Sequence, residues 1–160
     1  MYNPAAVLVA EIDGTMVGES GINALVAAHF QVPIAMVSGD QHTVTQTRVL
    51  CPGVTAAVVK QSLTRLAAQN LHPERTREVI KDAARSSLEG LAPTAAPRFS
   101  AGTMLRSRMG NADLAELVTA VRDVRRTGDT EVVVAGAGPL DGFRNFVGVL
   151  LITRGLAQEQ

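Results

Sequence analysis

The chain has 160 residues, 46% of them apolar, and a formal net charge of +0. Such a composition supplies a core for one domain and excludes intrinsic disorder. It holds neither the basic stripe of a nucleic-acid binder nor an apolar run of about 18 residues that would span a membrane.

In chain order, residues 7–12 read as a strand, Asp13-Gly14 as a hairpin turn, and residues 15–18 as the return strand. Ile22, Leu25, Val26 and Phe30 fall at helical spacing and predict a helix over residues 21–30, with Ser20 as its N-cap. Residues 32–37 form a short apolar strand closed by Ser38-Gly39-Asp40, and Asp40 caps a helix that Cys51-Pro52-Gly53 ends. A further strand covers residues 54–59, and residues 61–71 carry no decisive pattern. Pro73 opens a helix that Gly90 closes, and residues 92–97 form a loop. Residues 99–106 read as a strand and residues 113–121 as a helix. Val124 and residues 130–135 mark two more strands before a closing apolar helix over residues 143–156. This alternation predicts an α/β domain with α+β character, a mixed sheet with flanking helices, in one unit over residues 1–160.

Several constellations dissolve on inspection. Gly136 to Gly142 follows a strand and precedes a helix, but its glycine spacing departs from the dinucleotide fingerprint, so it reads as a strand-to-helix turn. Gly18-Glu19-Ser20-Gly21 lacks the spacing of a nucleophile elbow. His29, His42 and His72 stand alone, with no His or Cys at metal-ligand spacing. Tyr2 and four phenylalanines are too few for a base-stacking platform or an aromatic cofactor pocket. The lone Cys51 closes no internal disulfide, and Met1-Tyr2-Asn3-Pro4 lacks the marks of a leader; together they predict a cytoplasmic protein.

Three residues keep a functional reading beside an ordinary one. Glu19 opens a predicted helix between Gly18 and Gly21, where a carboxylate complements the helix dipole and is also a competent divalent-metal ligand. Asp40 ends a strand where open α/β sheets bind ligands, although a helix cap explains it equally well. Lys60 ends the strand over residues 54–59 and is one of only two lysines among fifteen cationic residues, which hints that a compact ammonium matters there.

Three stretches together carry a resemblance: Val17-Gly18-Glu19-Ser20-Gly21-Ile22-Asn23-Ala24, then residues 32–40, then residues 54–62. Their order and spacing resemble the zinc-dependent D-aminopeptidase family, most strongly over residues 13–75 and more loosely over residues 97–156. The resemblance implies the second half of that fold and a metallopeptidase that removes N-terminal residues from small D-amino-acid peptides. It also implies a dinuclear zinc site and ring-shaped homo-oligomers. Glu19 matches the family's last metal-ligating glutamate, and Asn23 matches a neighbouring position that shapes the pocket. Lys60 lies in the third matched stretch and is a candidate for substrate binding.

The family's opening Asp-x-Glu-Gly motif, its two ligating histidines and its catalytic histidine have no counterpart here, so no catalytic residue is assigned. One glutamate cannot hold two zinc ions. The sequence therefore predicts a metallopeptidase chain that is incomplete or inactive alone, whose partner is a separately encoded first half or further copies of itself. The alternative is a non-catalytic remnant or assembly module that keeps the fold. A third reading is a small-molecule-binding domain built on Asp40 and Lys60.

Overall fold

The computed structural model describes residues 3–89, 96–100 and 102–154. Its elements in chain order are β1 (Val7–Ile12), β2 (Thr15–Met16), α1 (Glu19–His29), β3 (Met36–Asp40), α2 (Gln41–Leu50), β4 (Thr55–Ser62) and β5 (Ala68–Asn70). They continue with α3 (Pro73–Glu89), β6 (Leu105–Met109), α4 (Ala112–Leu117), a 3-10 turn over Val118–Ala120, β7 (Val124–Arg126), β8 (Glu131–Val134) and α5 (Pro139–Thr153). The chain divides into two compact units, Met1–His29 with Phe99–Gln160, and Phe30–Arg98. Among the described residues, no helix is long and apolar enough to cross a membrane.

The first unit is built on a five-stranded sheet in the order β2-β1-β6-β8-β7, antiparallel throughout. Asp13 and Gly14 both take positive φ, 50° and 80°, which is the backbone that a two-residue hairpin requires. The Asp13 carboxylate then accepts from the Ser100 amide (3.2 Å), the Ser100 hydroxyl (3.0 Å) and the Met104 amide (3.3 Å). Those donors are therefore taken from any ladder, and the strand expected over residues 99–106 instead begins at Leu105. From there Leu105, Ser107 and Met109 point into the core while Arg106 and Arg108 point outward, the period-two alternation of a half-buried strand.

Helices α1 and α5 pack on each other. Ile22 and Leu25 of α1 and Phe146 and Val149 of α5 are fully buried with Val132 and Val134 of β8. Helix α1 starts at Glu19, two residues earlier than the apolar spacing suggests. Gly18 supplies the carbonyl that accepts from the Gly21 and Ile22 amides, so Ser20 lies inside the helix and is not its N-cap. Helix α5 likewise starts early, at Pro139, which needs no amide partner in a first turn. The glycine run before it is a turn: a Cβ on Gly136 would collide with the backbone nitrogen of Gly142, and the Asn145 side chain donates to the Ala135 carbonyl at 2.7 Å.

The second unit holds a three-stranded mixed sheet in the order β3-β4-β5. Strands β3 and β4 run parallel from Met36↔Thr55 to Gly39↔Val58, and a bulge then brings Asp40 opposite Lys60. Strand β5 returns antiparallel to β4. The strand expected over residues 32–37 is displaced to Met36–Asp40 because pairing starts where the Thr55 amide reaches the Ala35 carbonyl, beyond the donor-less Pro33. Residues 61–71, which lacked a pattern, supply the end of β4 and all of β5. Helices α2 and α3 pack on β3 and β4 over buried Val44, Cys51, Val54 and Ala57, and burial pushes the Cys51 thiol pKa up. The expected cap at Gly90 and the loop at residues 92–95 lie outside the described residues.

Two substitutions separate these packing arguments. Gly136→Ala should lower unfolding stability by roughly 2 kcal/mol or more, since the methyl group meets backbone. Ser107→Ala should leave stability unchanged or raise it by up to about 1 kcal/mol, because the buried Ser107 hydroxyl has no hydrogen-bond partner among the described residues. Urea unfolding followed by circular dichroism measures both.

Candidate functional site

Helix α1 presents the two residues that the resemblance marks. Glu19 is its first residue and Asn23 lies one turn on, a spacing of four that puts both on one face. Both are exposed, whereas Gly21, Ile22, Ala24 and Leu25 between and beside them are buried. The packed face of the helix therefore fixes the direction in which the carboxylate and the carboxamide project. Glu19 sits in the first helical turn, where the dipole favours an anion.

Lys60 belongs to the other unit. It is exposed on β4, opposite Asp40 on one side and Asn70 on the other. It lines a cleft of about 270 Å³ with Val58, Gln61, Gln69, Asn70 and Leu71. That lining is mostly amide and aliphatic, with a single cation.

Asp40 is committed to structure. Its Oδ1 accepts from the Thr43 amide at 2.8 Å, which is the N-cap bond of α2. Its Oδ2 accepts from the Ser62 hydroxyl at 2.6 Å. These bonds, Ser62 first and the Thr43 amide second, lower its pKa from an ordinary 3.8 to about 2, with a smaller contribution from the Lys60 charge. Next to it, the Gln41 side chain both donates to the Ser62 carbonyl and accepts from the Ser62 amide, each at 2.9 Å. A carboxamide thus stands where a further strand residue would pair, and it ties the end of β4 to the start of α2. The sequence offered no signal for Gln41 beyond a polar residue after a cap.

A second group escaped the sequence reading. The alternation Leu105-Arg106-Ser107-Arg108-Met109 places two guanidinium groups on one side of β6. They line a cleft of about 290 Å³ with Val9, Glu11, Thr127 and Glu131. Arginine at every second position of Leu105-Arg106-Ser107-Arg108-Met109 was the available clue.

Zinc sites require three or four protein ligands, drawn from Cys, His, Asp and Glu. Among the described residues, no group of three or more such side chains stands together. Glu19 can contribute one donor, and the described residues do not compose a dinuclear site without others.

The match to a family model for D-aminopeptidases, Peptidase M55, extends over residues 1–147. The chain belongs to the D-aminopeptidase family. A D-aminopeptidase of Bacillus subtilis strain 168 is 29% identical over 136 residues, covering 83% of this chain and 49% of the relative. A solved structure, the Zn-dependent D-aminopeptidase DppA from Bacillus subtilis, described as a self-compartmentalizing protease, superposes with a TM-score of 0.83 at 27% identity. That superposition covers 97% of this chain and 56% of the other. The chain thus spans about half the length of the D-aminopeptidases that it matches, and its mixed α/β architecture is theirs over that span.

The Asp40 clamp has a measurable acid limb. A carboxylate with its folded pKa lowered contributes stability that is present above the unfolded value of 3.8 and is lost as pH falls towards about 2. Asp40→Ala should cost about 1 kcal/mol at neutral pH through the lost cap, and should flatten the fall in stability between roughly pH 4 and pH 2. Thermal unfolding of both proteins across that range tests it.

Proposed function

We propose that this chain is the Glu19-bearing part of a D-aminopeptidase-type zinc metallopeptidase, which hydrolyses N-terminal residues from small D-amino-acid peptides once further ligands are supplied. One observation carries the reading: a family match over residues 1–147 coincides with a carboxylate presented at the start of a firmly packed helix. In this reading Glu19 is one metal donor, Asn23 shapes the adjoining pocket, and Lys60 binds substrate through its ammonium. The remaining ligands come from a separately encoded first half or a segment preceding this one. The reading is supported by relatives of which this chain covers 49% and 56%, one of them named as zinc-dependent. The same relative's description as self-compartmentalizing supports assembly of this chain with further copies. Its place of action is the cytoplasm.

A second reading, a non-catalytic assembly module, draws on one feature of the second unit. Leu63 and Leu66 are 65% and 94% exposed around the β4–β5 turn, more than a free-standing hairpin needs to display.

Zinc content and hydrolysis of D-alanine p-nitroanilide separate the two readings. The chain purified alone should hold no stoichiometric zinc after dialysis and should show no turnover. Co-expression with the product of an adjacent reading frame carrying Asp-x-Glu-Gly should restore both, and Glu19→Ala should then abolish turnover and lower zinc content. Absence of such a frame, with no zinc bound by any preparation, would leave the assembly module.

A further inference from the structure

The cleft on the five-stranded sheet has a charge arrangement that the fold itself does not use. In the ladder, Glu11 of β1 stands opposite Arg106 of β6, and Glu131 of β8 stands opposite Arg108. Opposite charges so placed ordinarily close into cross-strand pairs. Here they do not: among the described residues, ion pairs engage Arg75, Arg122 and Arg126, and neither Arg106 nor Arg108 has one. Among the described residues neither guanidinium makes a side-chain hydrogen bond either, whereas Arg126 makes three. The Glu131 carboxylate turns instead towards the β7–β8 turn, close enough to Gly128 that a Cβ there would meet its Oε2 at 2.6 Å.

The result is a cleft of about 290 Å³ lined, among the described residues, by two uncommitted cations, two glutamates and Thr127, with Val9 as its apolar side chain. Each feature selects for ligand chemistry. Arginine presents a planar fork of donors suited to a carboxylate. The flanking glutamates repel polyanions and accept from an ammonium group. The volume lies at the lower edge of the range for small-molecule sites, which suits a ligand the size of a dipeptide.

We infer that the Arg106–Arg108 cleft binds the zwitterionic form of a short peptide, its carboxylate on the two guanidinium groups and its ammonium towards Glu11 or Glu131. The inference names a ligand site on unit one and requires no turnover by this chain. It therefore stands or falls separately from the hydrolytic reading.

Isothermal titration of the full chain with D-alanyl-D-alanine tests it, beside the N-acetylated and C-amidated forms of the same dipeptide and inorganic phosphate. The free dipeptide should bind. Blocking either terminus should weaken binding by about tenfold or more, and phosphate should bind more weakly than the dipeptide. Arg106→Gln and Arg108→Gln should each weaken the dipeptide by about tenfold and together abolish detectable heat, with thermal unfolding unchanged. Arg125→Gln, on β7 at the edge of the same sheet but not in the cleft lining, should leave binding as it was. No binding at millimolar dipeptide overturns the inference. So does binding that survives the double substitution, or phosphate binding as tightly as the dipeptide.

Discussion

The packing of α1 against α5 over the five-stranded sheet is the constraint on which the candidate metal donor depends. Ile22 and Leu25 on one helix, and Phe146 and Val149 on the other, are fully buried, and each such side chain contributes roughly 1.5–3 kcal/mol through burial. That energy fixes the rotation of α1 about its own axis. Glu19 and Asn23, four residues apart on the opposite face, are therefore presented outward by a rigid element. A carboxylate at the end of a mobile loop would have to be ordered at the moment of binding, and this one is ordered by the core.

The sequence made legible whatever is specified locally. Asp13-Gly14 was readable as a hairpin because only a few residues tolerate positive φ there, and Asp40 as a cap because its carboxylate meets an amide three residues on. What escaped was specified from a distance. The start of β6 moved because Asp13, 87 residues earlier, occupies the donors of Ser100. The start of β3 moved because its parallel partner sets where pairing begins. Of the site, Glu19 was legible from its place at a helix start and from the stretch around it. The Gln41–Ser62 clamp and the unpaired Arg106 and Arg108 were not, since both depend on which strand comes to lie beside which.

Family membership and metal chemistry separate cleanly in this chain. Two of the three stretches that carry the resemblance fall on β3 and β4, and the other covers the first half of α1. A dinuclear zinc site asks for something different, several donors converging from separate segments. Half the length of a D-aminopeptidase is enough to keep its architecture at a TM-score of 0.83, while its described residues bring one candidate donor from the matched motif.

The first unit is assembled from both ends of the chain, with β1 pairing to β6 across the whole of the second unit. During synthesis the ribosome releases β1 and α1 long before β6 and β8 exist. The second unit, contiguous from Phe30 to Arg98, meets all its own strand partners first. Vectorial synthesis thus favours a nascent chain in which the β3-β4-β5 sheet forms while β1 still lacks its inner neighbour. Over that interval β1 offers an unpaired apolar strand edge, and the time spent there rises with every slow codon between residues 30 and 105.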